Sequence, residues 1–373
     1  MRRAFSSVAW DVARAKQHVF TPVEYRYTTR DAIIYALSVG CKAKDDLRYL
    51  YEDAKGFMPL PTFIVAPGMK HTGLRRWPGL NVDMRHLLHG EQHVELFAPI
   101  PPEGTFLSEK RIVDVLDKGS GALIMTEVTT YDKSSGTKLA RQQICAFQVG
   151  SGNFGGARSS SHTTKGAEIP KTPADKIITE STSEEQHAIY RLGAGDMNPL
   201  HIDPASARIS GFSSPILHGL CTMGFASRHV LTAFANNDAS LFKAIKVRFA
   251  SPVLPGQTLE THMWNEGERI VFETKVKETG KTVVSNGYME LHRKDNCVIG
   301  FSYLCCKNEY VGADPKKFAN PGRSPRGIAL RGAWKFSNAL RTRAFVCEYF
   351  IHFDIAYGSA WCCDKEVLRM PEK

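Results

Sequence analysis

Long apolar runs are missing from this 373-residue sequence, and no stretch approaches the 18 consecutive apolar residues of a membrane-spanning helix. Hydrophobic residues make up 43% of the chain and charged residues 23%, which excludes a mainly disordered chain, a collagen and a disulfide-rich miniprotein. A chain of this length can bury a core of substantial size and form two or three domains. The sequence therefore predicts a globular protein without a membrane span.

The net positive charge of the chain lies mostly at its two ends. The net charge is +10, but residues 294–373 contain thirteen Lys or Arg against eight Asp or Glu, and the first 23 residues contain four against one. A nucleic-acid-binding protein usually has a basic stripe on a folded domain. Because the excess lies mostly at the two ends and no nucleic-acid motif is present, no nucleic-acid partner is predicted.

Zinc-site spacing is absent among the nine cysteines. The pairs at 305–306 and 362–363 are adjacent, whereas a structural zinc site needs a spacing such as Cys-x-x-Cys. Three other cysteines lie in apolar surroundings, and these are Cys41, Cys145 and Cys221. We expect them to be small buried hydrophobic residues in a reducing compartment.

Residues 1–19 have the composition of a targeting leader, rich in Arg and Ser with one acidic residue. A basic amphipathic helix of this kind is typical of a mitochondrial transit peptide, although a disordered basic leader would have the same composition. The long apolar segment of a secretory signal is missing. The chain ends Pro371-Glu372-Lys373, so the peroxisomal tripeptide Ser-Lys-Leu is also absent.

Two similar blocks follow, separated by a linker rich in Gly, Ser and Thr at 150–173. Four identities recur at an offset of 152 residues: Phe97, Ala98, Gly104 and Leu107 match Phe249, Ala250, Gly256 and Leu259. We therefore predict an N-terminal repeat at 20–149 and a C-terminal repeat at 174–293. Residues 294–373 share no such pattern and are left as an unassigned tail.

Each repeat is predicted to pair an antiparallel sheet with a helix. Alternating apolar and polar residues predict three strands per repeat, at 111–116, 122–131 and 138–149, then at 258–266, 269–278 and 282–291. Helices are predicted at 30–39, at 218–234, and from a capping box at Ser183 and Gln186 to Leu192. The helix predicted at 218–234 is apolar on nearly all of its faces, as expected of a helix wrapped by a sheet. The fold class is therefore α+β.

The segment from Tyr190 to Pro204, Y-R-L-G-A-G-D-M-N-P-L-H-I-D-P, is the strongest chemical signal. Its turn can aim Asp196, Asn198 and His201 into one space. A carboxylate and a neutral imidazole that flank one water can remove and deliver a proton near neutral pH. A generic Gly-Asp-Asn-Pro turn with an incidental histidine is the alternative.

A second signal, His218-Gly219-Leu220, opens the long apolar helix. The first N–H groups of a helix have no internal acceptor and attract negative charge, and a glycine lets a ligand approach the backbone closely. A thioester placed there would have its developing enolate stabilised. The alternatives are a packing glycine and a helix-entry histidine.

These two segments resemble the signature of the 2-enoyl-CoA hydratase 2 family, the MaoC-like hydratases found in peroxisomal multifunctional enzyme type 2. The resemblance covers about residues 20–291 and includes further matched segments at 35–40, 60–63, 88–92, 115–121 and 242–246. It implies a double hot-dog fold, two MaoC-like repeats of which the second is catalytic and the first is degenerate and makes room for a bulky acyl chain.

The resemblance also implies an activity and its residues. The family hydrates trans-2-enoyl-CoA to (3R)-3-hydroxyacyl-CoA in fatty-acid β-oxidation, without a cofactor or a metal ion. Its catalytic residues fall here on Asp196, Asn198, His201 and Gly219. Its CoA-ester contacts fall on His89, Gly90, Lys118 and Phe249.

Two departures from the family pattern lie beside the catalytic segment. The stretch between Leu192 and Asp196 is one residue longer than is common, and Met197 replaces a frequent aromatic residue. A related hot-dog dehydratase or thioesterase and a non-catalytic acyl-CoA-binding protein are the competing hypotheses. The resemblance implies a homodimer and a peroxisomal location, whereas residues 1–19 favour the mitochondrial matrix.

Overall fold

A computed structural model describes residues 10–67 and 77–292. Residues 1–9 of the predicted leader and the whole tail at 294–373 lie outside this range. Within the described residues, no helix is long and apolar enough to cross a membrane. The three cysteines expected in the core are free and buried, as predicted.

In the described part of the N-terminal half, five strands and three short α-helices are assigned bounds. Its elements in chain order are α1 (Val12–Gln17), β1 (Val23–Tyr27), α2 (Thr29–Ser38), α3 (Leu47–Leu50), a 3₁₀ helix (Pro61–Val65), β2 (Leu87–Leu96), β3 (Gly104–Asp117), β4 (Gly121–Asp132) and β5 (Lys138–Val149). The carboxylate of Asp31 accepts hydrogen bonds from the backbone and hydroxyl of Thr28, which fixes the start of α2.

The C-terminal half repeats this plan with a longer helix. Its elements are β6 (Lys176–Ser181), α4 (Gln186–Ala194), a 3₁₀ helix (Pro199–His201), α5 (Pro204–Ile209), α6 (Gly219–Phe234), a 3₁₀ helix (Ala239–Leu241), β7 (Phe242–Phe249), β8 (Thr258–Glu266), β9 (Arg269–Val276) and β10 (Thr282–Leu291). Helix α6 is buried from Leu220 to Leu231, as expected of a helix wrapped by a sheet.

All ten described strands belong to one antiparallel sheet, in the order β1-β3-β4-β5-β2-β7-β10-β9-β8-β6. The two halves meet where β2 pairs with β7, with Glu91 opposite Arg248 and Glu95 opposite Ala244. Each half is a sheet with its own helix, and the two sheets are continuous. This is the double hot-dog arrangement, and the predicted α+β class is confirmed.

The predicted strands and helices are confirmed, and some of their ends differ from the prediction. Strand β3 begins at Gly104, seven residues before the predicted start, and α4 continues to Ala194 rather than ending at Leu192. The side chain of Gln186 accepts a hydrogen bond from the Ser183 backbone, as in a capping box, but the residue that caps α4 is Glu185. Alternation did not identify β1, β2, β6 and β7.

Helices from the two halves approach closely because small residues line their contact. A Cβ on Gly224 of α6 would lie 2.4 Å from Cγ1 of Val39, which follows α2, and a Cβ on Gly193 of α4 would lie 2.6 Å from Oγ of Ser38. Such distances leave room for hydrogen atoms only. The glycines therefore allow the two halves to share one core.

A buried ionic cluster ties the same helices to the sheet. Arg228 of α6 donates to the carbonyl oxygen of Val39 and forms ion pairs of 3.1 Å with Glu180 and 3.2 Å with Asp46. Burial alone would raise the pKa of Glu180, but its bonds to His229, Arg228 and Lys42 lower it to about 2. Because these charges are mostly desolvated, removing one partner would leave another buried and uncompensated.

Helix α1 overlaps the predicted leader and packs on the N-terminal half. Its Ala15 is fully buried, and the carbonyl oxygen of Ala15 accepts a hydrogen bond from the Trp77 indole. The backbone of Asp11 also donates to the carbonyl oxygen of Gly79. Residues 12–17 are therefore packed in the described structure, and the targeting role of residues 1–19 stays a prediction.

We predict that Gly224→Ala destabilises the protein by about 1–3 kcal/mol, because the new methyl group overpacks the contact with Val39. Val39→Ala removes the nearest clashing atom. The double variant should therefore lose less than the sum of the two single losses, measured by urea unfolding. Strictly additive losses would contradict the contact.

Candidate active site

A cavity of about 1430 Å³ opens between the two halves of the sheet. Both halves contribute to its wall: Leu116, Leu123 and Ile144 belong to the first, and Ile209 and Phe212 to the second. The residues predicted for catalysis and binding line the same space, and these are His89, Gly90, Lys118, Asp196, Asn198, His201, Gly219 and Phe249. The sequence thus identified residues that the fold brings to one site.

Local hydrogen bonds shape the turn that carries the predicted catalytic residues. Gly195 ends α4 with a φ of 67°, a left-handed conformation that glycine adopts at little cost. The next residue, Asp196, accepts a hydrogen bond of 3.1 Å from the Asn198 backbone. The Asn198 side chain caps the 3₁₀ helix by accepting a hydrogen bond of 3.1 Å from Leu200 N. The extra residue before Asp196 therefore does not remove the carboxylate from the site.

A hydrogen bond to the backbone sets which ring nitrogen of His201 carries the hydrogen. Its Nδ1 lies 2.8 Å from the carbonyl oxygen of Ile216. Because a carbonyl can only accept, Nδ1 carries the hydrogen and the neutral ring keeps a lone pair on Nε2. Burial lowers the pKa of His201 below its usual range, partly opposed by the bond to Ile216 and by Asp196. His201 can therefore act as a base at neutral pH.

The ring of His218 packs face to face against the ring of His201. The two rings stack with centroids 3.7 Å apart, and His218 Nε2 lies 4.0 Å from Oδ2 of Asp196. Among the described residues, neither ring nitrogen of His218 has a hydrogen-bonding partner, and burial lowers its pKa well below the usual range. One ligand atom from each of Asp196, His201 and His218 lies within 4.8 Å of the other two. Of the described residues, this group has the composition to hold a metal ion.

Gly219 is the first residue of α6, so its N–H has no acceptor within the helix. A Cβ at this position would lie 3.0 Å from the ring of Phe249, at the end of β7. The absence of a side chain thus lets an aromatic ring lie against the helix start. A polarised oxygen in the cavity could approach this N–H without obstruction from a side chain at Gly219.

His89 and Gly90 come from β2 in the other half of the sheet. A β-bulge interrupts the pairing of β2 with β5 between His89 and Glu91, and the pairing of β2 with β7 begins at Glu91. The bulge turns the His89 ring toward Phe249, with ring centroids 5.1 Å apart and an interplanar angle of 81°. The pairing of β2 with β7 therefore places residues of both halves at one cavity.

Lys118 lies in the tight turn between β3 and β4 at the rim of the cavity. Its Nζ donates a 2.6 Å hydrogen bond to the carbonyl oxygen of Arg158 in the linker. The neighbouring Asp117 accepts backbone hydrogen bonds from Gly119, Asn153 and Gly155, which anchor the linker to the turn. The predicted phosphate contact is thus an exposed lysine that already has a backbone partner.

Sequence reasoning missed several polar residues of the site. Arg85 and Arg248 line the cavity, and Gln92 bonds to His89 from beneath it. No spacing singles out these residues, because arginine and glutamine are common on ordinary strand surfaces. The stacking of His218 on His201 was also missed, since it depends on a contact between a loop and a helix start.

Models of two known domains match most of the described chain. Residues 25–150 match the MFE-2 hydratase 2 N-terminal domain, and residues 165–287 match the MaoC like domain. A crystal structure of a MaoC-like dehydratase from Phytophthora capsici is 33% identical, with a TM-score of 0.68 over 75% of this chain and 98% of that one. The fold and the site thus define a double hot-dog protein of the MaoC-like class.

Similar curated proteins narrow this class. The probable enoyl-CoA hydratase 2 of Dictyostelium discoideum is 43% identical over 282 residues, covering 74% of this chain and 95% of that protein. The peroxisomal multifunctional enzyme type 2 of Mus musculus is 50% identical over 271 residues, or 71% of this chain. The matched region spans only 36% of the mouse protein. The chain belongs to the enoyl-CoA hydratase 2 family.

We predict that the free energy of unfolding falls between pH 7.0 and pH 5.5. Burial lowers the pKa of both His89 and His93 to about 4, so the unfolded chain, with histidine pKa values near 6.5, binds more protons in this range. Each such histidine contributes a slope of up to about 1.4 kcal/mol per pH unit, with stability rising with pH. Urea unfolding at both pH values measures the change.

The control variant for this prediction is His93→Gln, which removes one of the two groups. Its free energy of unfolding should depend less steeply on pH than that of the unmodified protein. Equal free energies at pH 7.0 and pH 5.5 in the unmodified protein would contradict the lowered pKa values of these two histidines.

Proposed function

We propose that this protein catalyses the R-specific hydration of trans-2-enoyl-CoA to (3R)-3-hydroxyacyl-CoA in fatty-acid β-oxidation. The observation that carries the proposal is the meeting of Asp196, His201 and the Gly219 N–H at one cavity. The names of the relatives, enoyl-CoA hydratase 2 and peroxisomal multifunctional enzyme type 2, support the same chemistry. In this proposal residues 20–149 and 174–293 are the degenerate and catalytic repeats, joined by the linker at 150–173.

The first step adds the oxygen of water to C3 of the enoyl group. Asp196 and His201 hold the water between them, and His201 Nε2 takes one of its protons, since Nδ1 is bonded to Ile216. The oxygen forms a bond to C3 as the C2–C3 π electrons move toward the thioester. Asn198 supports this geometry through the backbone bond that it donates to Asp196.

The second part of the reaction neutralises the resulting enolate. Its negative charge lies on the thioester oxygen, which accepts a hydrogen bond from the Gly219 N–H at the start of α6. One such donor is typically worth about 3 kcal/mol to a transition state. The acid formed in the first step then protonates C2, so water has been added across the double bond. No metal or cofactor takes part in this scheme.

The cavity provides separate regions for the two ends of the substrate. We assign the CoA ester to His89, Gly90, Lys118 and Phe249, with Lys118 at the rim as a point charge for a phosphate. The apolar wall contributed by both halves suits the acyl chain. Met197 lines the cavity and is half exposed, so its flexible side chain can adapt to the acyl chain.

The names of several relatives place them in the peroxisome, including the enoyl-CoA hydratase 2 of Arabidopsis thaliana, 34% identical over 290 residues. We propose the same location for this chain. The mitochondrial alternative rests on the composition of residues 1–19 alone. A homodimer remains the expected assembly.

We predict that Asp196→Asn and His201→Gln each lower kcat for trans-2-decenoyl-CoA by about 100-fold to 10,000-fold, the usual contribution of general acid–base catalysis. Hydration is followed by the loss of absorbance of the conjugated thioester, with chiral analysis of the product. The unmodified protein should form the (3R) alcohol. Asp53→Asn is the matched control, because Asp53 is exposed and lies outside the cavity.

The same assay separates the competing hypotheses. A thioesterase would release a free CoA thiol, which a thiol reagent detects, and a binding protein would leave the substrate unchanged. A (3S) product, or full activity in both variants, would refute the proposed mechanism.

We predict that kcat/KM for hydration stays constant from pH 7 to below pH 6.5 and falls only at lower pH. Burial lowers the pKa of His201, so the base form persists below the usual histidine pKa and is lost as the pH decreases through the lowered value. A pH–rate profile measures the midpoint. A midpoint above 6.5 would contradict His201 as the base.

A further inference from the structure

A row of buried amide groups runs from the backbone of the N-terminal half to the cavity. Gln142 Nε2 on β5 donates a 2.8 Å hydrogen bond to the carbonyl oxygen of Ile64 in the first 3₁₀ helix. Gln92 Nε2 on β2 donates a 3.0 Å bond to Oε1 of Gln142, and Oε1 of Gln92 lies 3.0 Å from Nε2 of His89. Both glutamines are only 1% exposed.

The direction of every bond in this row follows from its first member. A backbone carbonyl can only accept, so the Gln142 amide must turn its nitrogen toward Ile64 and its oxygen toward Gln92. Gln92 must then turn its nitrogen toward Gln142 and its oxygen toward His89. An amide oxygen can only accept, so His89 Nε2 must carry a hydrogen.

The His89 ring is neutral as well as oriented. Its burial lowers its pKa to about 4, although the bond to Gln92 and the charge of Asp196 partly oppose this effect. A neutral imidazole has one ring hydrogen. With that hydrogen on Nε2, the Nδ1 of His89 has a lone pair and can only accept.

One aromatic ring, that of Phe249, lies between His89 and the start of α6. The His89 and Phe249 rings meet edge to face at 81°, and the Phe249 ring lies 3.0 Å from the position that a Cβ on Gly219 would take. A displaced His89 ring would let Phe249 move within this contact. The amide row and the N–H of Gly219 are thus connected by packed side chains.

We propose that Gln92 and Gln142 are positioning residues that hold His89 in the neutral Nε2–H tautomer and thereby hold Phe249 against Gly219. The proposal rests on the proposed function for its kinetic consequence, since His89, Phe249 and Gly219 are there assigned to the thioester. Its structural part, the tautomer, does not depend on any activity.

The first test is the tautomer of His89 in the unmodified full-length protein. Selective ¹⁵N labelling of histidine with a long-range ¹⁵N–¹H correlation spectrum distinguishes Nε2–H from Nδ1–H, and the His89→Asn variant assigns the signal by its loss. We expect the Nε2–H form at pH 7. An Nδ1–H or a protonated ring would overturn the proposal without reference to any other variant.

The second test is Gln142→Met. This substitution keeps the side-chain volume and removes the hydrogen bonds of Gln142 to Ile64 and to Gln92. The Gln92 amide is then free to turn over, so we expect His89 to exchange between two tautomers. KM for trans-2-decenoyl-CoA should rise about tenfold, as for the loss of one hydrogen bond, with kcat changed less than about threefold. A His89 signal identical to that of the unmodified protein would overturn the proposal.

Gln143→Met is the matched control, because Gln143 is the next residue on β5 and is also buried. Its amide bonds instead to the linker, donating to the carbonyl oxygen of His162 and accepting from Thr164 N. We expect this variant to leave the His89 tautomer and KM unchanged. An equal effect of both variants would indicate general loss of packing and would overturn the positioning role.

A Gln92→Met variant completes a double-mutant cycle. If the glutamines act in one row, Gln92→Met with Gln142→Met should raise KM no more than Gln92→Met alone. Additive increases would overturn the common row. If the unmodified protein shows no hydration, the proposed function fails, whereas the tautomer measurement still decides the amide row.

Discussion

The pairing of β2 with β7 is the constraint on which the rest of the structure depends. Each strand also pairs within its own half, β2 with β5 and β7 with β10. Buried backbone groups must find partners, so neither central strand can shift without breaking two ladders. The buried Lys246 of β7 forms a 2.6 Å ion pair with Glu91 of β2. This ion pair also favours the observed register of the two strands.

The site is a consequence of this junction. With Glu91 opposite Arg248, the bulge at His89 faces Phe249 at the end of β7, and Phe249 in turn lies against the first residue of α6. The N-terminal half therefore supplies part of the cavity wall and a binding residue, although the proposed catalytic pair belongs to the C-terminal half.

The loop that carries the proposed catalytic residues and α6 are held from the opposite side of the core. Gly193 of α4 and Gly224 of α6 both face the end of α2, and Arg228 binds the carbonyl oxygen of Val39 at the same place. Asp196 follows α4 by two residues, so the position of α4 sets the position of the carboxylate. The protonation of His201 is likewise set by a backbone oxygen, that of Ile216, rather than by a third side chain.

The sequence by itself determined the local features of this protein: six strands, three helices, the α+β class and the turn that brings Asp196, Asn198 and His201 close together. Periodicity, turns and short spacings are properties of neighbouring residues. The sequence did not determine β2 and β7, since their lysine, glutamine and histidine side chains look polar and are buried only through partners distant in the chain. Only the tertiary structure decided the single sheet, the stacking of His218 on His201 and the amide row to His89. Each of these depends on contacts between segments that folding alone brings together.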